Sequence, residues 1–104
     1  MSRVHVTEAE SEVLAALWRR GPLPFVSLIE EVKAVQPWGD ATVKTLLHRL
    51  IGKGLVRSIR EDGRQRYHPQ VTREAFIRLE LQGLAQRFLN GDTAALRRIL
   101  DDEV

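Results

Sequence analysis

Apolar residues recur at helical spacing in two segments before residue 38. The first helix is expected to begin after Thr7, because Thr7 and Glu10 stand at the spacing of a capping box, and to stop at Gly21. Leu23-Pro24-Phe25 is expected to lead into the second helix, which runs to about Val35, and Pro24 suits the first helical position, where a missing N–H costs nothing. Both carry an apolar stripe on one side, which predicts two helices packed on a common core.

A third helix is predicted at residues 42–51, and its two faces differ. One face is apolar and consists of Val43, Leu46, Leu47 and Leu50. The opposite face and its flanks carry small, hydroxyl-bearing, imidazole and basic residues: Ala41, Thr42, Lys44, Thr45, His48, Arg49 and Gly52. No acidic residue follows Asp40 in this stretch, and a strip of this composition suits the major groove of DNA. We therefore interpret it as a recognition helix, joined to the second helix by a short turn.

The next segment predicts a β-hairpin. Asp62-Gly63 is typical of a two-residue type I′ turn, which places residues 55–60 opposite residues 65–68. The expected register pairs Glu61 with Arg64, Ile59 with Arg66 and Arg57 with His68. The other face is expected to pack on the helices and carries Val56, Ser58 and Tyr67.

The hairpin is expected to present a basic side and tip, formed by Arg57, Arg60, Arg64 and Arg66. Three helices followed by such a hairpin predict a winged helix, and residues 23–25 are a candidate for the short third strand of its sheet. Contacts from this wing and from Lys53 would go to the DNA backbone or the minor groove.

A long helix is expected from about residue 73 to 89, capped by Thr72 and closed by Asn90-Gly91, and a short helix capped by Asp92 or Thr93 follows it. Their apolar residues exceed what a small winged domain could cover, so we expect a dimer seam with a second copy. The alternative is that this segment folds back on the winged domain. The residues assigned to the seam are Ile77, Leu81, Leu84, Phe88, Leu96, Ile99 and Leu100.

Charge is distributed unevenly along the 104 residues. The net charge is +2, but residues 41–70 alone carry an excess of five positive charges, whereas the parts before and after them are slightly negative. Such a concentration attracts the phosphate backbone through counterion release. The alternative is a merely solvated basic face.

Composition argues against several other classes. With no cysteine, no long apolar run and no signal-peptide pattern, the chain is expected to be cytoplasmic, without membrane insertion and without a thiol-based metal or redox site. The histidines His5, His48 and His68 lie on different elements, and no phosphate-binding loop is present. An enzyme is therefore not expected, and no cofactor is predicted.

Ordered sequence blocks over nearly the whole chain resemble the penicillinase-repressor and methicillin-resistance-regulator family. The blocks lie at residues 7–14, 17–18, 21–23, 42–50, 53–56, 63–69 and 87–91. The resemblance implies a dimeric repressor with an N-terminal winged helix, a C-terminal helical dimerisation domain and a palindromic operator. In the family, a membrane-bound sensor protease often relieves repression by triggering cleavage in the C-terminal domain.

Three departures from the family pattern qualify these implications. Gly39-Asp40-Ala41 stands where the family often has Ser-Pro-Lys, which removes a basic contact and places a carboxylate near the DNA backbone. The C-terminal segment is about twenty residues shorter than usual, so cleavage-driven induction lacks support. The cysteine cluster of copper-responsive relatives is absent.

We therefore predict a mostly α-helical protein with a small β-hairpin: a winged helix-turn-helix domain at residues 1–70 and a helical dimerisation segment at residues 71–104. The predicted function is that of a sequence-specific transcriptional repressor that binds double-stranded DNA as a homodimer. The alternatives are a winged-helix protein-interaction module and a repressor that senses a small ligand directly. The predicted DNA contacts are Thr42, Lys44, Thr45, His48 and Arg49 on the recognition helix, with Lys53, Arg57, Arg60, Arg64 and Arg66 in and beside the wing.

Overall fold

A computed structural model of the protein describes residues 5–102, which form five helices and one two-stranded antiparallel sheet. In chain order the elements are α1 (Glu8–Arg20), α2 (Phe25–Lys33), α3 (Asp40–Gly52), β1 (Val56–Glu61), β2 (Arg64–Pro69), α4 (Arg73–Phe88) and α5 (Thr93–Asp101). The chain divides into two compact units between Thr72 and Arg73, two residues after the boundary expected from the sequence. Among the described residues, no helix is long and apolar enough to cross a bilayer.

Capping residues, glycine and proline determine where α1 and α2 begin and end. The capping box of α1 is present: the Thr7 hydroxyl accepts from the Glu10 N–H at 3.1 Å, and the Glu10 carboxylate accepts from the Thr7 N–H at 2.9 Å. Gly21 ends α1 with φ of 82°, a value that few other residues adopt. Pro24 was expected at the first helical position, but its extended backbone makes it the N-cap of α2. That helix ends at Lys33, two residues earlier than predicted. Pro37 disfavours the helical conformation at the preceding residue, Gln36, so α2 ends before that residue.

The core of the first unit comes from the apolar stripes of three helices, since α1 contacts both α2 and α3. The predicted apolar face of α3 is buried: Val43, Leu47 and Leu50 are fully buried, and Leu46 is 5% exposed. Burying each such side chain contributes about 1.5–3 kcal/mol. The polar face of α3 is thereby fixed outward. The buried partners on α1 and α2 are Val13, Leu14, Ala16, Leu17, Leu28 and Val32.

The hairpin adopts the predicted register, with Glu61 opposite Arg64, Ile59 opposite Arg66 and Arg57 opposite His68. Asp62 and Gly63 both have positive φ, at 52° and 76°, as a type I′ turn requires. On the opposite face Val56 is buried, as predicted, whereas Ser58 and Tyr67 are half-buried.

The third strand expected at residues 23–25 is reduced to a single bridge. Leu23 and Tyr67 exchange backbone hydrogen bonds of 3.3 and 2.9 Å. The pairing stops there because Phe25, the next residue whose N–H would face β2, already begins α2. The Phe25 and Tyr67 rings meet edge to face, with centroids 6.4 Å apart, so the hairpin is held against the start of α2.

In the second unit, α4 and α5 contact each other across a turn at Asn90 and Gly91, which both have positive φ. Asp92 caps α5, because its carboxylate accepts from the Ala95 N–H at 3.0 Å. Leu96 was assigned to the dimer seam, but it is buried at 8% exposure within the chain itself. Its burial therefore serves the fold, and the remaining apolar side chains of the two helices supply the exposed surface.

Candidate DNA interface

The polar face of α3 is open to solvent along its whole length. Every residue predicted to contact DNA from this helix is exposed: Thr42, Lys44, Thr45, His48 and Arg49. A hollow of about 320 Å³ lies on this face, lined by Ala41, Thr42, Thr45, Leu46 and Arg49. Its hydroxyl, guanidinium and apolar lining offers a hydrogen-bond donor, an acceptor and a methyl-sized apolar contact, the chemistry by which base edges are distinguished in the major groove.

The start of α3 is held by α2. Gly39 is the N-cap and contributes no side-chain hydrogen bond, so the helix begins without the cap that a serine would supply. The Asp40 carboxylate, which the sequence placed near the DNA backbone, accepts from the Lys33 ammonium at 2.9 Å. Both side chains are about half exposed, so the pair contributes at most about 1 kcal/mol. It nevertheless gives the carboxylate a cationic partner from the preceding helix.

The end of α3 corrects one prediction. Lys53, expected to contact phosphate, is the C-cap residue of α3 and directs its ammonium inward. It donates to Glu10 Oε1 at 2.5 Å and to the His5 carbonyl at 2.6 Å. Because the Glu10 side chain is 1% exposed, it needs this cation, and Lys53 is a structural residue rather than a free phosphate contact.

The same contacts set the pKa of Glu10. Burial alone raises the pKa of this carboxyl, but hydrogen bonds from Lys53 and Thr7 and the Lys53 charge outweigh it, so the pKa is lowered from 4.5. The sequence showed the capping box at Glu10 but not its pairing with a lysine 43 residues away. That pairing depends on tertiary packing, which no local spacing reveals.

The basic residues of the hairpin lie on both of its faces. Side chains alternate along a strand, so Arg57 shares one face with Arg64 and Arg66, whereas Arg60 shares the other with Val56 and Ser58. Of the four arginines predicted for the basic side and tip, Arg60 thus lies on the other face from the remaining three. Arg60 is nonetheless exposed, because it lies near the turn and beyond the part that packs on the helices.

Glu61 lies within the basic face of the hairpin. Its Oε1 is 3.0 Å from His68 Nε2 and 4.0 Å from Arg66 Nε, although its cross-strand partner is Arg64. The carboxylate thus reaches back along the hairpin, away from the turn. Register alone pairs Glu61 with Arg64, so this diagonal contact was missed.

Three helices, a hairpin packed on them and an exposed acid-free face on the third helix define a winged helix-turn-helix DNA-binding domain. The family model for the penicillinase repressor matches residues 6–103, and the chain belongs to this family. Its members are DNA-binding regulators rather than enzymes, so the protein is a DNA-binding repressor of this type. In the part of the chain that the structure describes, no group of three or more potential metal ligands is found.

The chain is similar to known relatives and to solved structures. The penicillinase repressor of Bacillus licheniformis is 28% identical over 86 residues, which cover 83% of this chain and 67% of that protein. An uncharacterised 16.5 kDa protein of Latilactobacillus sakei is 34% identical over 62 residues, covering 60% of this chain and 42% of that protein. The chain thus spans two thirds of the first relative and less than half of the second.

Two of the similar solved structures are of the repressor BlaI. The B. licheniformis monomeric form in complex with the blaP half-operator matches with a TM-score of 0.63 at 26% identity, over 71% of this chain and 90% of that one. The BlaI DNA-binding domain matches with a TM-score of 0.62 at 26% identity, over 72% and 93%.

Proposed function

We propose that this repressor binds a palindromic operator as a homodimer, reading bases with α3 and holding phosphate with the wing. The observation that carries the proposal is the exposed face of α3, which has no acidic residue after Asp40 and lies beside a basic hairpin. The fold shared with the BlaI structure solved on a half-operator supports binding of operator DNA by this domain.

Within α3 we divide the contacts by position. Thr45 and His48 lie at the centre of the exposed face and would reach base edges, whereas Lys44 lies at its flank and would hold phosphate. Arg49 lines the hollow on this face together with Thr45, so it is placed for a bidentate contact to guanine.

The wing would supply contacts that do not depend on sequence. Arg57, Arg60 and Arg64 are exposed, and Arg66 is partly so. Each phosphate neutralised adds about −0.9 to the slope of log affinity against log salt concentration. A wing that neutralises two or three phosphates therefore makes a large part of the binding sensitive to salt.

The homodimer is proposed from the second unit. Its exposed apolar side chains are Ile77 at 42%, Leu79 at 46%, Leu81 at 38%, Leu84 at 36%, Phe88 at 71%, Ile99 at 60% and Leu100 at 68%. On α4 the spacing of Ile77, Leu81, Leu84 and Phe88 is that of a helix-pairing seam. Isologous pairing of two copies buries such a surface and matches a two-fold symmetric operator.

Selection of bound fragments from random duplex DNA tests the proposal. We expect an enriched palindrome whose half-sites lie about 10 bp apart or a multiple of that. His48→Glu should abolish the enrichment, because it places a negative charge on the α3 face, whereas Gln86→Glu, which adds the same charge on the side of α4 away from the seam, should not. An enriched site without a repeat would refute the homodimer, and the absence of enrichment would refute sequence-specific binding.

A further inference from the structure

The basic face of the hairpin carries one acidic side chain. This outer face consists of Arg57, Ile59, Glu61, Arg64, Arg66 and His68, which alternate with the residues facing the helices. Glu61 Oε1 lies 3.0 Å from His68 Nε2 and 4.0 Å from Arg66 Nε. The other acidic residue of the hairpin, Asp62, is in the turn and not on either strand.

Stability does not account for this arrangement. The side chains of Glu61, Arg66 and His68 are 43%, 38% and 23% exposed, so water screens the contacts. Pairs of this kind contribute about 1 kcal/mol or less to the free energy of unfolding. A neutral residue at position 61 would pair across the strands as well and would leave the whole face basic.

We propose that Glu61 limits the sequence-independent binding of the wing to duplex DNA. The proposal rests on the wing contacts put forward above. Glu61 Oε1 lies 4.0 Å from Arg66 Nε, so the carboxylate competes with a phosphate oxygen for the Arg66 guanidinium. Specificity is a difference between affinities. A backbone contribution common to all duplexes cancels from that difference, so Glu61 lowers affinity for operator and non-operator duplexes alike.

The test compares Glu61→Gln with Asp62→Asn on a mixed-sequence duplex of about three helical turns, over about 50–200 mM salt. The two changes remove the same charge at neighbouring positions. Asparagine tolerates the left-handed conformation that residue 62 adopts, with φ of 52°, so the turn is kept. Thermal unfolding of both variants checks that the fold is intact.

We expect Glu61→Gln to raise affinity for this duplex about fivefold and to steepen the salt slope by up to about one, while Asp62→Asn does less than half as much. Combined with Arg66→Ala, the Glu61 change should do no more than Asp62→Asn. Equal effects of the two single variants, or a Glu61 effect that persists without Arg66, would overturn the proposal, since net charge alone would then explain the gain.

Arg66→Ala alone separates this inference from the proposed function. If it flattens the salt slope while Glu61→Gln behaves like Asp62→Asn, the wing binds DNA and only the role of Glu61 is refuted. If it changes neither affinity nor slope, Arg66 makes no contact with DNA, and both that wing contact and the role of Glu61 fail.

Discussion

The Lys53 ammonium links three separate parts of the winged domain. It lies at the end of α3 and donates to a buried carboxylate of α1 and to the backbone carbonyl of His5. Glu10 in turn accepts from the Thr7 N–H, so one carboxylate serves both the helix cap and the ion pair. Removing one partner of such a pair leaves an uncompensated buried charge, so the loss of either side chain is expected to destabilise the fold.

Glu10→Gln is expected to change how stability depends on pH. The pKa of Glu10 is lowered from 4.5 in the folded protein, so its contribution is complete above 4.5 and is lost as the pH falls through the folded value. At neutral pH the variant should be less stable by about 2 kcal/mol, because a charged hydrogen bond is lost. On acidification it should lose less stability than the wild type.

Urea unfolding from about pH 7 to about pH 3 measures both curves. Glu31, whose pKa is lowered by Arg19 and Arg20, is present in both proteins, so the difference between the curves reports Glu10 alone. Parallel curves would contradict the assignment.

At the level of elements, features set by residues close together in the sequence could be predicted, whereas contacts between residues far apart in the sequence could not. The two faces of α3 and the hairpin register could be predicted, because helical periodicity and the Asp62-Gly63 turn are local properties. The inward Lys53 and the diagonal contact of Glu61 could not, because they depend on how distant side chains meet. The bridge at Leu23 lies between these cases: its position was predicted, but its length is limited because α2 begins at Phe25.

Substitutions on α3 should separate base contacts from phosphate contacts. On a duplex carrying the selected site, Thr45→Ala or His48→Ala should reduce discrimination at one base pair by about 1–3 kcal/mol and change mixed-sequence affinity little. Lys44→Ala is the matched control on the same helix, and it should weaken binding to all duplexes alike and flatten the salt slope. Competition binding against single-base variants of the site measures both effects. A uniform loss with Thr45→Ala and His48→Ala would mean that neither residue reads bases.

On the scale of the whole molecule, the two units differ in how much of their apolar side-chain surface is buried. The first unit buries the apolar stripes of α1, α2 and α3, whereas the second leaves most of its large apolar side chains more than a third exposed. Exposed apolar surface of this extent on two consecutive helices marks an interaction site. The spacing along α4 favours a second copy as the partner.

Leu81→Asp and Phe88→Asp are therefore expected to give monomers, because each places a charge in the proposed seam without disturbing a buried residue. Linked binding to two half-sites is lost with the dimer, so operator affinity should fall about a hundredfold while affinity for a single half-site is kept. Val26→Asp is the matched control: Val26 is 68% exposed, close to the 71% of Phe88, but lies on α2. Sedimentation equilibrium should show a dimer for this control and for the wild type. A Phe88→Asp protein that stays dimeric with unchanged operator affinity would place the interface elsewhere, because burying an unpaired charge in an apolar seam has a large cost in free energy.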